Sequence, residues 1–154
     1  MLEVFDVVRR ELLRSIARLR ASQTFHVIFF SADGPLENPP KRLVPAEVDA
    51  KRGLAKFHRT VQAQGHTDPL PAIERTFQVL REAPRPGGRV VFLVTDGVFA
   101  DNHKAVAAIA AANKDGAVRV HTVLVGGRSP EAEKVLQKIA DDNGGLFKFV
   151  EMSD

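Results

Sequence analysis

Residues 89–101, RVVFLVTDGVFAD, constrain the fold of this chain more than any other stretch. The unbroken apolar run at 90–94 is typical of a strand buried on both faces of a mainly parallel sheet. It ends at Thr95-Asp96-Gly97, and ligands of open α/β sheets bind beyond the carboxyl ends of the strands. Asp96 is therefore a carboxylate where such folds carry chemistry, and Gly97 lets a ligand approach the backbone. In isolation, such an aspartate is better explained as a turn or cap residue.

Composition sets broad limits on the function. The 154 residues are enough for one domain with a real core, and 44% apolar and 27% charged residues are ordinary for a globular protein. The absence of cysteine excludes disulfides, thiolate zinc sites and cysteine nucleophiles. A net charge of +3, without Tyr or Trp, argues against a nucleic-acid partner. No apolar run predicts a membrane span and no secretory signal is recognised, which favours the cytoplasm.

The rest of the chain predicts alternating helices and strands. Apolar runs predict strands at 24–31, 118–125 and 146–151, with a short edge strand at 42–44. Helical spacing predicts helices at 2–21 and 46–64, and three more that begin at caps near Asp68, Asp101 and Ser129. This order predicts a doubly wound α/β domain, with a mostly parallel sheet flanked by helices. The opening helix is unusual, because the first helix of such a fold normally follows a strand.

Three further polar features of the sequence have plain structural interpretations. The arginine stripe at Arg10, Arg14 and Arg18 is typical of a solvated helix face, with a partner site as the alternative. His26, alone in an apolar run, is better explained as a packed residue than as a ligand. The loop at 126–129, GGRS, lacks the spacing of a dinucleotide or P-loop motif and is interpreted as a turn and helix cap.

Three loops are expected to meet at one end of the sheet, at 31–33, 65–68 and 95–97. They offer hydroxyl and carboxylate oxygens, which suit magnesium, calcium or manganese better than zinc. The candidate ligands and rim residues are Ser31, Asp33, Thr67, Asp68, Asp96 and Gly97.

These motifs, in this order, resemble those of the von Willebrand factor type A (VWA) domain family. The resemblance runs through TFHVIFFS, GHTDPLPAIERTF, VVFLVTDG and VRVHTVLVG, and covers nearly the whole chain. It implies a six-stranded doubly wound (Rossmann-like) sheet and a metal-ion-dependent adhesion site whose ligands come from three loops. In that site Thr67 matches the family's threonine and Asp96 its aspartate. Ser31, Asp33, Asp68 and Gly97 would form the rim.

The sequence departs from the family at its start. The D-x-S-x-S motif that follows the first strand in the family is absent, and Met1 stands where a methionine often follows that motif. We therefore expect residues 1–154 to form a single VWA-like domain that is incomplete at its N-terminus. One hydroxyl and one carboxylate do not offset the dehydration of magnesium, so we expect magnesium, manganese or calcium to bind weakly or not at all.

The resemblance implies a non-enzymatic protein-binding module with a degenerate or incomplete adhesion site. An intact site of this kind would bind a partner's acidic residue through a divalent cation. One alternative is a metal-independent assembly module that keeps the fold without the cation. The other is a metal-assisted phosphohydrolase that uses Asp96, although no paired nucleophile and base can be named.

A missing first strand also has consequences for the sheet. In the family that strand lies between the strands that correspond here to 25–31 and 90–95. Direct parallel pairing of these two strands would give a five-stranded sheet, and this is the arrangement we expect. The alternative is a strand from another molecule in the gap, since open sheet edges promote self-association.

Overall fold

The computed structural model describes residues 2–31, 34–61, 68–83, 88–97 and 99–152. The helices in these ranges are α1 (Leu2–Ala17), α2 (Val48–Phe57), α3 (Leu70–Glu82), α4 (Asn102–Ala112) and α5 (Pro130–Asp142). The strands are β1 (Thr24–Phe25), β2 (Ile28–Ser31), β3 (Gly34–Glu37), β4 (Val44–Pro45), β5 (Arg89–Thr95), β6 (Val118–Gly126) and β7 (Phe147–Glu151). None of these helices is both long and apolar enough to cross a bilayer.

The C-terminal half confirms the predicted α/β architecture. Strands β5, β6 and β7 form a parallel sheet in that order. Helices α3, α4 and α5 bury one of its faces in a core that includes Ile73, Phe77, Leu93, Ile109, Leu124, Leu136 and Ile139. Alternate residues of β6 enter this core, as the twofold period of a strand requires.

The N-terminal half has a separate core and a different strand arrangement from the one predicted. The strand predicted at 24–31 is interrupted at residues 26–27 and divided between two antiparallel pairs, β1 with β4 and β2 with β3. The Asn38 backbone amide donates to the Val27 carbonyl at 3.0 Å, which extends the β2–β3 ladder by one residue pair beyond Ile28 and Glu37. The second core joins α1, α2, β1 and β2 and includes Leu12, Ile16, Phe25, Val27, Phe29 and Leu54.

The predicted pairing of residues 25–31 with 90–95 is wrong. Within the described ranges β5 pairs only with β6, and β2 pairs only with β3. Residues 34–37, for which the sequence predicted no strand, form β3 and occupy one edge of β2. Nor is the run at 90–94 buried on both faces, because Val90 is 44% exposed and Phe92 is 67% exposed.

The hydrogen-bond pattern identifies which backbone groups the two outer strands leave open. The Thr122 amide donates to the Leu146 carbonyl at 3.0 Å. The backbone amides and carbonyls of Thr122 and of every second residue of β6 therefore point toward β7, and those of the residues between them point toward β5. By the register, the amides and carbonyls of Val90, Phe92 and Val94 point away from β6. Those of Phe147, Phe149 and Glu151 form the open edge of β7 in the same way.

A buried ionic group connects the β2–β3 hairpin to α3. Glu37 Oε1 lies 3.0 Å from His26 Nε2 and accepts a 2.8 Å hydrogen bond from Arg75 Nε. Arg75 Nη2 also donates to the Lys41 carbonyl at 2.9 Å. His26 is thus packed, with a side chain only 4% exposed, as its lone position in an apolar run suggested. Burial alone would raise the pKa of Glu37, but the hydrogen bonds and charges of His26 and Arg75 outweigh it and lower the pKa.

Glu37 is expected to make folding stability depend on acid pH. Because its folded-state pKa lies below the ordinary value of 4.5, its contribution is present above that pH and is lost as pH falls through the folded-state pKa. Glu37→Gln should cost about 2 kcal/mol at neutral pH and flatten stability below pH 4.5. Urea unfolding at a series of pH values measures both effects.

Glu82→Gln is the matched control. Glu82 lies 4.0 Å from Arg75 but is 60% exposed, so its removal should change stability by less than about 0.5 kcal/mol. Equal effects of the two substitutions would contradict the buried connection.

Candidate functional site at the carboxyl end of the sheet

Asp96 lies immediately after β5 on a turn that its neighbour fixes. The Thr95 hydroxyl accepts from the Gly97 amide at 3.3 Å and lies 3.1 Å from the Gly97 carbonyl, to which it donates. Thr95 is buried, whereas Asp96 is exposed. The turn therefore holds the Asp96 carboxylate out at the end of the sheet, where no described side chain hydrogen-bonds to it.

Asp68 marks the start of α3, as the sequence indicated. Its Oδ1 accepts a 3.0 Å hydrogen bond from the Leu70 amide, although the cap position itself is occupied by Pro69, one residue after the cap predicted near Asp68. This hydrogen bond uses part of the oxygen capacity of Asp68, which makes it a weaker candidate for a ligand. The helix that begins after Asp68 also carries Arg75, which connects it to Glu37.

The other candidate residues lie largely outside the described part of the chain. Thr67 and Asp33 are outside it. Ser31 is the last residue of β2, and only its backbone is described. Gly97 belongs to the turn that Thr95 stabilises. The proximity of these residues to Asp96 therefore stays a prediction. In the described ranges no three His, Asp or Glu side chains come together as a metal site would require.

The neighbouring loops act as helix caps, as predicted. Asp101 Oδ1 accepts from the Lys104 amide at 3.0 Å and begins α4. Ser129 Oγ accepts from the Ala132 amide at 3.3 Å and begins α5. Arg128 pairs with Glu133, and its guanidinium lies 4.2 Å from the centre of the Phe149 ring. Both side-chain contacts of Arg128 are thus internal, consistent with a structural loop.

Comparison with known proteins gives structural matches only. No family model and no curated protein matches the sequence. A von Willebrand factor type A structure from Catenulispora acidiphila matches with a TM-score of 0.80 and 19% identity, over 97% of this chain and 34% of that one. This chain has the fold of a VWA domain. The SpRpn10 VWA domain matches with a TM-score of 0.69 and 9% identity, over 96% of this chain and 75% of that one.

The VWA fold confirms the resemblance that the sequence motifs carried. At these identities the likeness concerns the fold, and this chain spans about a third of the length of the Catenulispora structure. In this VWA fold, Asp96 is at the carboxyl end of β5, the position that the sequence assigned to it. The feature that sequence reasoning missed is the exposed face of β5 that carries Val90 and Phe92, because an apolar run does not show which of its faces is covered. An open edge beside β5 was the alternative to the pairing expected from the sequence.

Proposed function

We propose that this chain is a non-enzymatic protein-binding module whose metal-ion-dependent adhesion site is degenerate. The observation that carries the proposal is the Asp96 carboxylate, exposed beyond β5 on a turn that Thr95 fixes from within. Thr67, the family's second matching residue, directly precedes Asp68 in the sequence. The partner would be a protein, contacted at this end of the sheet.

The described residues do not by themselves fit a divalent cation. Asp96 supplies one carboxylate, and Asp68 commits an oxygen to the Leu70 amide. Magnesium prefers near-octahedral oxygen coordination and loses its water reluctantly, so this donor set is too small. Calcium requires six or more oxygens and is still less well served. We therefore derive no binding step that requires a metal.

Magnesium and manganese are expected to show no binding at roughly millimolar concentrations, given this donor set. Isothermal titration calorimetry of the wild type and Asp96→Ala measures this directly, and the two titrations should be indistinguishable. Tight binding that disappears in Asp96→Ala would contradict the degenerate site. Ser31 and Asp33 would then be the first residues to test as additional ligands.

A catalytic use of Asp96 is not part of the proposal. The phosphohydrolase alternative needs a nucleophile and a base within hydrogen-bond reach of one another, and no described side chain hydrogen-bonds to the Asp96 carboxylate. We expect no hydrolysis of phosphate esters or nucleoside triphosphates. Turnover that Asp96→Asn abolishes would favour the enzyme instead.

A second candidate, metal-independent assembly, is favoured by the open edge of β5. Its outward backbone groups belong to Val90, Phe92 and Val94, and two of these side chains are exposed and apolar. Unpaired strand edges of this composition promote pairing with another chain. An antiparallel pair of β5 strands centred on Phe92 would place Val90 opposite Val94 of the second copy. It would also place Arg89 opposite Thr95 of that copy.

A further inference from the structure

The outer edge of β7 differs in character from that of β5. A groove of about 470 Å³ separates β7 from α1. Its lining includes Arg10, Arg14 and Lys148, together with the acids Glu11 and Glu151. The arginine stripe of α1, whose plain interpretation was a solvated face, therefore lies in part along an open strand edge.

The cations of this groove are only partly neutralised. Glu11 pairs with Arg14 at 3.1 Å, whereas Arg10 and Lys148 have no ion-pair partner among the described residues. Glu151 lies on the same face of β7 as Phe147 and Phe149. Its side chain is therefore on the opposite face of the strand from Lys148. The side of β7 that carries Lys148 is consequently net positive.

We infer that this groove binds an extended acidic peptide, which adds to β7 as a further strand. The outward amides and carbonyls of Phe147, Phe149 and Glu151 would supply the main-chain hydrogen bonds. Arg10, Arg14 and Lys148 would select carboxylates at alternate positions of the peptide, on the side that faces α1. The intervening residues would face the Phe149 side of the strand. This surface is separate from Asp96 and requires no metal.

Charge complementarity favours an acidic peptide over a second copy of this chain. The edge strands of this chain, RVVFLVT and FKFVE, carry arginine or lysine and lack alternating acids. Lysine on an edge strand also discourages self-pairing. A charged edge that rejects copies of itself can still accept a strand of opposite charge.

The test is fluorescence anisotropy with a labelled peptide of alternating glutamate and valine. The control peptide replaces each glutamate with lysine. We expect the acidic peptide alone to bind, and each of Arg10→Glu and Lys148→Glu to weaken it about tenfold, since each removes a charge-assisted hydrogen bond. Arg18→Glu is the matched control: it makes the same charge change just beyond the end of α1 but does not line the groove, and it should change affinity little.

Glu11→Gln distinguishes an effect on the groove from a loss of folded structure. It releases Arg14 from its ion pair without removing a cation, so it should tighten binding, which no loss of structure would do. Amide hydrogen exchange should also slow at Phe149 and Glu151 when the peptide is bound, because their amides become paired.

Three outcomes would overturn the inference. The first is absence of binding by the acidic peptide, or equal binding of the lysine peptide. The second is equal weakening by Arg18→Glu and Arg10→Glu, which would indicate general charge attraction. The third is binding without protection of the Phe149 and Glu151 amides, which would place an acidic ligand on the arginines but not on the strand.

Discussion

Gly145→Ala is expected to destabilise the fold by at least about 3 kcal/mol. A Cβ atom on Gly145 would overlap the carbonyl oxygen of Val120 and lie 3.0 Å from the backbone nitrogen of His121. Both are main-chain atoms of β6, the central strand, so relief would require the sheet itself to move. Gly145 also donates its amide to the Ala140 carbonyl at 2.8 Å, which fixes the turn between α5 and β7.

Urea unfolding at neutral pH measures this loss, with Gly53→Ala as the matched control. Gly53 lies within α2, and a Cβ there would meet no heavy atom within 4 Å. The same substitution should therefore stabilise the protein, by up to about 1 kcal/mol. A Gly145→Ala protein within about 1 kcal/mol of the wild type would contradict the close approach of this turn to β6.

We expect the wild-type chain to self-associate through β5, and the Phe92→Lys variant to self-associate at least about tenfold more weakly. The substitution places a charge in the middle of the β5 edge and removes an exposed aromatic ring, while a site that is 67% exposed tolerates lysine. Sedimentation velocity over a range of protein concentrations measures the effect. Because this prediction rests on the assembly hypothesis, it does not depend on any cation.

Val48→Lys provides the control for this experiment. Val48 is 63% exposed, at the start of α2, so the substitution removes a similarly exposed apolar side chain away from β5. It should leave self-association unchanged. A wild-type chain that stays monomeric at every concentration, or equal effects of the two substitutions, would remove the support for assembly through β5.

The C-terminal half could be predicted from the sequence because its signals are local. The apolar runs of β5 and β6 and the cap, proline and acids of α5 each specify an element without reference to the rest of the chain. The Asp96 turn was found for the same reason. The caps at Asp101 and Ser129 likewise depend on a side chain and an amide three residues apart.

The N-terminal half could not be predicted because its pairing depends on distant contacts. The hairpin of β2 and β3 begins only after the break at residues 26–27, and the ion pair of Glu37 with Arg75 connects it to α3. Asn113 shows the same limit. It is the C-terminal cap residue of α4, yet its buried side-chain amide bonds the backbone of Val118 and the side chain of Asn143, 30 residues away.

The exposure of β5 is the clearest case of a property that pattern alone does not contain. Five apolar residues in succession indicate a strand, but coverage of each face depends on what else packs there. Helices α3 and α4 cover the side of Leu93, and no described element covers the side of Phe92 enough to bury it.

The VWA fold with an open β5 edge is the structural result on which the assembly hypothesis depends, and residue-resolved amide hydrogen exchange tests it most directly. At protein concentrations where the chain is monomeric, the account predicts slow exchange at Val91 and Leu93, whose amides face β6. It predicts fast exchange at Val90, Phe92 and Val94, whose amides face outward. Equal protection of all five amides in the monomer would show that another strand already occupies the edge, and would contradict the account.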